Sequence, residues 1–188
     1  TLTSVNMPYP KYFEGAQFVH FLLGTATVSL AIPIYKGWHS LKGRIGVLMM
    51  AMLAGGITSI LVAVGVLQLM GSDVALIRGM YAKSVTAPIA MGIAERIGGH
   101  PSLAAVMVIA TGILGAITAQ TIFRWLKVND DAVSGFALGV AAHGIGTARA
   151  FQLSETMGAF AALGMGLNGL LTAISLPSLI QWLKPWLQ

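Results

Sequence analysis

Positions free of Asp, Glu, Lys and Arg gather into four long runs, Gly15–Tyr35, Ile45–Ser72, Ile97–Phe123 and Thr156–Leu183, each rich in Leu, Ile, Val, Ala, Met and Gly. Each exceeds the roughly 20 residues that an α-helix needs to cross a hydrocarbon core of ~30 Å. The pattern therefore predicts four transmembrane helices. Tyr35, Trp38, Trp125, Trp182 and Trp186 fall at or just beyond the ends of these runs, where amphipathic rings prefer the headgroup layer.

Two stretches break the pattern. Asp73–Arg96 carries Arg78, Lys83, Glu95 and Arg96, and Ala132–Glu155 carries His143, Arg149 and Glu155, all within otherwise apolar sequence. Each has a helix breaker near its middle, Lys83-Ser84-Val85-Thr86-Ala87-Pro88 in the first and His143-Gly144-Ile145-Gly146-Thr147-Ala148-Arg149 in the second. Proline removes a backbone donor and clashes with the preceding turn, while glycine tolerates backbone that a helix forbids, so both segments should be interrupted at membrane depth. Irregular backbone there must be buried in protein or line a cavity. The fold expected is all-α: a polytopic membrane protein with about four full crossings plus two interrupted or re-entrant segments, in one membrane domain spanning 1–188.

A weak internal similarity pairs the units. Ala110–Ala119 and Gly164–Ala173 share both glycines, the threonine and the final alanine at an offset of 54 residues. Each follows an interrupted segment, an order also found in transporters duplicated around a midplane site. Lys36, Lys42 and Arg44 form the densest basic cluster, which the positive-inside rule places in the cytoplasm. Arg124 and Lys127 reach that side only if Asp73–Arg96 re-enters, and charge counting favours re-entry.

Composition sharpens this picture. Only 9% of the 188 residues are charged and 56% are hydrophobic, against about a quarter charged in soluble domains, which excludes a water-soluble globule. The net charge of +5 comes from scattered residues with no basic face, so nucleic acid is not an expected partner. The absence of cysteine excludes disulfides, thiolate metal sites and a cysteine nucleophile. His20, His39, His100 and His143 are too dispersed to imply a metal, and no cofactor is expected. No G-x-S-x-G elbow, H-E-x-x-H or P-loop occurs, so an enzyme is not expected; Ser84 with His143 is a formal hydrolase pair only. The polar start through Glu14 lacks a signal-peptide pattern.

Leu22–Tyr35, Lys83–Met91 and His143–Arg149, followed by Glu155 and Gly158-Ala159-Phe160, together resemble the LrgB/CidB family of bacterial membrane proteins, whose plant relative is the C-terminal part of the plastidal glycolate/glycerate translocator. The resemblance runs from about Tyr12 to the C-terminus and implies that a family helix or two precede this chain. It implies two functional labels: a carrier of small monocarboxylates such as glycolate, glycerate or pyruvate, and a holin/antiholin-like regulator of murein hydrolase export and lysis. It also implies a bacterial inner-membrane location, or a plastid inner envelope, and a small LrgA/CidA-type membrane partner. Small-residue spacing such as Gly135-x-x-x-Gly139 is compatible with a homodimer or with packing inside the chain.

The carrier reading uses the two broken motifs. A small carboxylate entering lipid loses its hydration shell, and the free ends of broken helices offer unpaired N–H groups and a positive dipole end to replace it. Ser84 and Thr86 can cap a half-helix and Pro88 suits its first turn. Gly144 and Gly146 permit close backbone approach, and Thr147 can cap the half-helix that follows. Arg149 could grip a carboxylate with paired hydrogen bonds, or instead pair with Glu155 or snorkel. Lys83 is a second cation, also able to snorkel. His143 could couple protons or simply bond a backbone carbonyl. Glu95 and Arg96 precede the turn Gly98-Gly99-His100-Pro101 and read as interfacial. Asn168 reads as a structural bond between helices.

Overall fold

The computed structural model describes residues 45–183, with Gly15, Phe18, Tyr35 and Gly43 as isolated positions before them. The helix expected over Gly15–Tyr35 and most of the loop after it lie outside the described residues. The described helices are α1 (Ile45–Leu69), α2 (Val74–Met80), α3 (Ala87–Arg96), α4 (Pro101–Trp125), α5 (Asp131–Leu153) and α6 (Glu155–Leu183), with no strand among the described residues. Three are long and apolar enough to cross a membrane: Ile45–Leu69, Pro101–Trp125 and Glu155–Ile180. Along α1 only Met52 is buried, and Val47, Met50, Ile57, Leu61 and Val62 are exposed, as suits a helix solvated by lipid.

Helices α2 and α3 have 7 and 10 residues, or about 10 and 15 Å at 1.5 Å per residue, too short for either to cross alone. Their ends show the direction of the chain. Arg78, near the end of α2, donates through Nη1 to the Gly98 carbonyl at 2.9 Å, and a Cβ on Gly79 would lie 3.6 Å from the Ala104 nitrogen. The end of α2 is thus level with the start of α4. Between them the chain dips inward, where Lys83 reaches Ser59 halfway along α1, and α3 carries it back. Segment 73–96 is a re-entrant helical hairpin entering from the face where α1 ends, as the charge pattern favoured.

Helix α5 is also a hairpin. His143 has φ 41 and ψ −132, which no helical residue adopts. The leg 131–142 runs parallel to α6: Gly135 abuts the Met157 carbonyl, Gly139 the Ala161 carbonyl, and a Cβ on Gly164 would lie 2.5 Å from the Phe136 oxygen. The leg 144–153 runs antiparallel to α6, with the Phe151 ring on Gly158 and Thr147 on Met165. The legs also meet each other, since a Cβ on Gly146 would lie 2.8 Å from the Leu138 oxygen. In a continuous helix eight residues separate two positions by about 12 Å, so the chain must reverse at His143.

The result is hairpin, crossing, hairpin, crossing, with the two halves entering from opposite faces. Helices α4 and α6 begin at Pro101 and Glu155, 155 − 101 = 54 residues apart, the offset of the sequence similarity. One crossing per half inverts the second relative to the first, the topology found around midplane sites in many carriers. Each crossing helix packs on the hairpin of the other half through matched glycines: Gly115 against Ala142, and Gly169 against Ile89. Because 73–96 re-enters, Arg124 and Lys127 return to the face from which α1 starts at Ile45.

Candidate functional site where the hairpin tips meet

The tip of the first hairpin is Tyr81–Thr86. Val85 is 2% exposed there and packs with Ala82, Ala90, Ile93 and Val108, which seats the tip in protein rather than lipid. On its other side Lys83 Nζ donates to Ser59 Oγ at 2.6 Å and to Ser84 Oγ at 3.2 Å, and the two hydroxyls are 3.4 Å apart. No acidic group pairs with Lys83 among the described residues. Thr86 holds the N-cap position of α3 and Pro88 its first turn, but the Thr86 side chain makes no capping bond. The first-turn donors of α3 and the positive end of its dipole are therefore left at the tip beside Lys83.

Asn168, in the middle of α6 and 6% exposed, ties the two hairpins together. Its Nδ2 donates to the Ser84 carbonyl at 2.9 Å and to the Val140 carbonyl at 3.2 Å, and its Oδ1 accepts from Thr172 Oγ1 at 3.5 Å. The second tip is held separately. His143 Nε2 lies 2.9 Å from the Val108 carbonyl, the ring covers Gly112, where a Cβ would come within 2.7 Å of Cε1, and Thr147 Oγ1 donates to the His143 carbonyl at 2.8 Å.

The structure thus assembles Lys83, Ser84, Thr86 and Pro88 with Asn168 beside the second tip, and separates several other candidates from them. The break in the second segment is at His143 itself, not at Gly144–Gly146. Thr147 lies four residues into the following leg and bonds backward, so it caps nothing. Gly146 serves the contact between legs, while Gly144 meets only Met165 Sδ, at 3.9 Å. Arg149 points away from Lys83, to Gln152 Oε1 at 3.0 Å and Gln120 Oε1 at 3.4 Å. No ion pair joins it to Glu155 among the described residues: the chain turns at Ser154, and Glu155 instead opens α6, where a carboxylate favours the helix dipole. Ser59 is the functional candidate that sequence reasoning missed. Its signal is faint, a Thr58-Ser59 pair in the middle of an apolar run. Among the described residues no cluster of His, Asp or Glu could hold a metal.

Comparison with known proteins adds an independent line. A family model described as the LrgB-like family matches residues 1–182. The chain belongs to that family. Relatives of this LrgB-like chain include the uncharacterized protein YwbG of Bacillus subtilis, 33% identical over 97% of this chain and 81% of the relative. The holin-like protein CidB of Staphylococcus aureus is 26% identical over 93% and 76%, and the antiholin-like protein LrgB of Bacillus cereus 29% over 92% and 75%. No solved structure matches the chain.

Proposed function

We propose that this LrgB-like protein is a carrier of small monocarboxylates of the glycolate, glycerate or pyruvate type, working by alternating access in the bacterial inner membrane. One observation carries the reading: Lys83, a cation without an acidic partner among the described residues, sits at the re-entrant tip of an inverted repeat. A charge at the bilayer centre costs roughly 2.5–3.5 kcal/mol on insertion scales, and two neutral serines do not neutralise it. A single carboxylate would. Its oxygens would take the third ammonium proton and the first-turn donors of α3, while the Ser59 and Ser84 hydroxyls suit a hydroxyl or keto group beside the carboxylate. Nothing in this scheme is enzymatic, and the basic loops before α1 and after α4 would face the cytoplasm.

The test is uptake of labelled glycolate, glycerate and pyruvate into liposomes holding the purified protein. Selective uptake that Lys83→Met abolishes, with the variant still folded and inserted, supports the carrier. Unselective dye leakage supports the second reading, a holin- or antiholin-like regulator of murein hydrolase export, which the names of the CidB and LrgB relatives favour. An LrgA/CidA-type partner or a second copy could cover the exposed face of α1 under either reading.

A further inference from the structure

The mouth of the second hairpin forms an open cavity of about 440 Å³ that plays no part in the scheme above. Ser134, in its wall, lies nine residues before the tip at His143, about 13 Å along the leg. The wall from α4 presents Gln120 and Arg124, one turn apart; the wall from the first leg presents Asp131 and Ser134, again one turn apart; Ser154 and Met157 lie at the start of α6.

Three features show unmet bonding capacity. Arg124 uses only Nε, on the Gln120 carbonyl of its own helix at 3.4 Å, so its terminal nitrogens have no partner among the described residues. Asp131 likewise has no ion partner there. Ser134 is 5% exposed and makes no side-chain hydrogen bond, yet no buried polar side-chain atom is left sealed without a partner. Its hydroxyl therefore opens into the cavity. An open hydroxyl there can donate one hydrogen bond to a ligand and accept others.

We infer that this cavity binds a small zwitterion, a molecule with an anionic group and an ammonium on a short linker. The anion lies on the Arg124 guanidinium and the Gln120 amide, and the ammonium on Asp131, with Ser134 between them. A simple anion would leave Asp131 facing like charge, and a simple amine would leave Arg124 so. Two sources carry this chemistry: the headgroup of an ethanolamine phospholipid and a free amino acid. The flanking Trp125 and Leu126, 83% and 60% exposed, place the cavity at headgroup depth.

Thermal unfolding of the purified protein tests the site, with phosphoethanolamine and alanine compared against inorganic phosphate alone and ethanolamine alone. A parallel arm compares nanodiscs of phosphatidylethanolamine and phosphatidylglycerol. The zwitterions should raise the midpoint by several degrees and the single-charge fragments should not. Arg124→Gln and Asp131→Asn should each weaken binding about tenfold or more. The exchanged pair Arg124→Glu with Asp131→Lys keeps opposite charges face to face and should retain binding, which separates loss of the site from loss of the fold. Stabilisation only in the lipid arm assigns a headgroup, and stabilisation by the free compounds a soluble ligand. Equal stabilisation by phosphate alone, no stabilisation by any probe, or binding that survives both single substitutions would overturn the inference.

Discussion

Lys83 is held by two serines on different elements, Ser59 from α1 and Ser84 from its own tip, and the three form one hydrogen-bonded cluster. Removing the charge should separate transport from folding. Lys83→Met removes an ammonium that only neutral hydroxyls hold among the described residues, so the variant is expected to be at least as stable as the parent while losing uptake; a clear drop in its unfolding midpoint would show that the cation is structural. Asn168→Leu should do the opposite and destabilise by about 1–3 kcal/mol, because two half-buried carbonyls on different hairpins lose their donor at once. Chemical denaturation in detergent measures it. Lys83 was legible in the sequence because a charge within an apolar run must be explained. Ser59 was not, since a single serine in a helix usually bonds back to its own turn, as Ser175 does.

Backbone contact governs the elements. Gly135 and Gly139 let the first leg of α5 lie directly on the Met157 and Ala161 carbonyls of α6, so a methyl there meets backbone that cannot turn aside. Gly139→Ala should cost about 1–3 kcal/mol or more. Gly55→Ala, on the open face of α1 with nothing within 4 Å, should be neutral or stabilising by up to about 1 kcal/mol; comparable losses at both positions would contradict the packing described. The reversal at His143 makes a second prediction, because glycine tolerates positive φ and a β-branched residue does not. His143→Gly should unfold at a higher temperature than His143→Val, the reverse of the order in a helix interior. The sequence showed that both segments break, since proline, glycine and buried charge announce it. It did not show where the second one turns, because Gly144 and Gly146 advertise flexibility while the strained residue is the histidine before them, held by a Val108 carbonyl that no side-chain pattern reveals.

For the whole molecule the inverted repeat fixes which loops share a side of the membrane. The chain has no cysteine, so single cysteines at Gly99 and Asn129 can be labelled without background in intact cells. Asn129 should be protected from impermeant reagents and Gly99 should react; equal reactivity would rule out the topology. The four shared positions near Gly112 and Gly166 hinted at this symmetry, but alanine- and glycine-rich helices resemble one another by composition, and only the exchanged contacts of α4 and α6 make it structural. Those exchanged contacts also order events during synthesis. Ser84 waits for Asn168, 84 residues downstream, before its carbonyl is paired. A ribosome that stalls before α6 leaves a polar hairpin in the bilayer without its clasp, so truncated chains should be short-lived, recognised by membrane proteases through an element that becomes safe only when the last helix arrives.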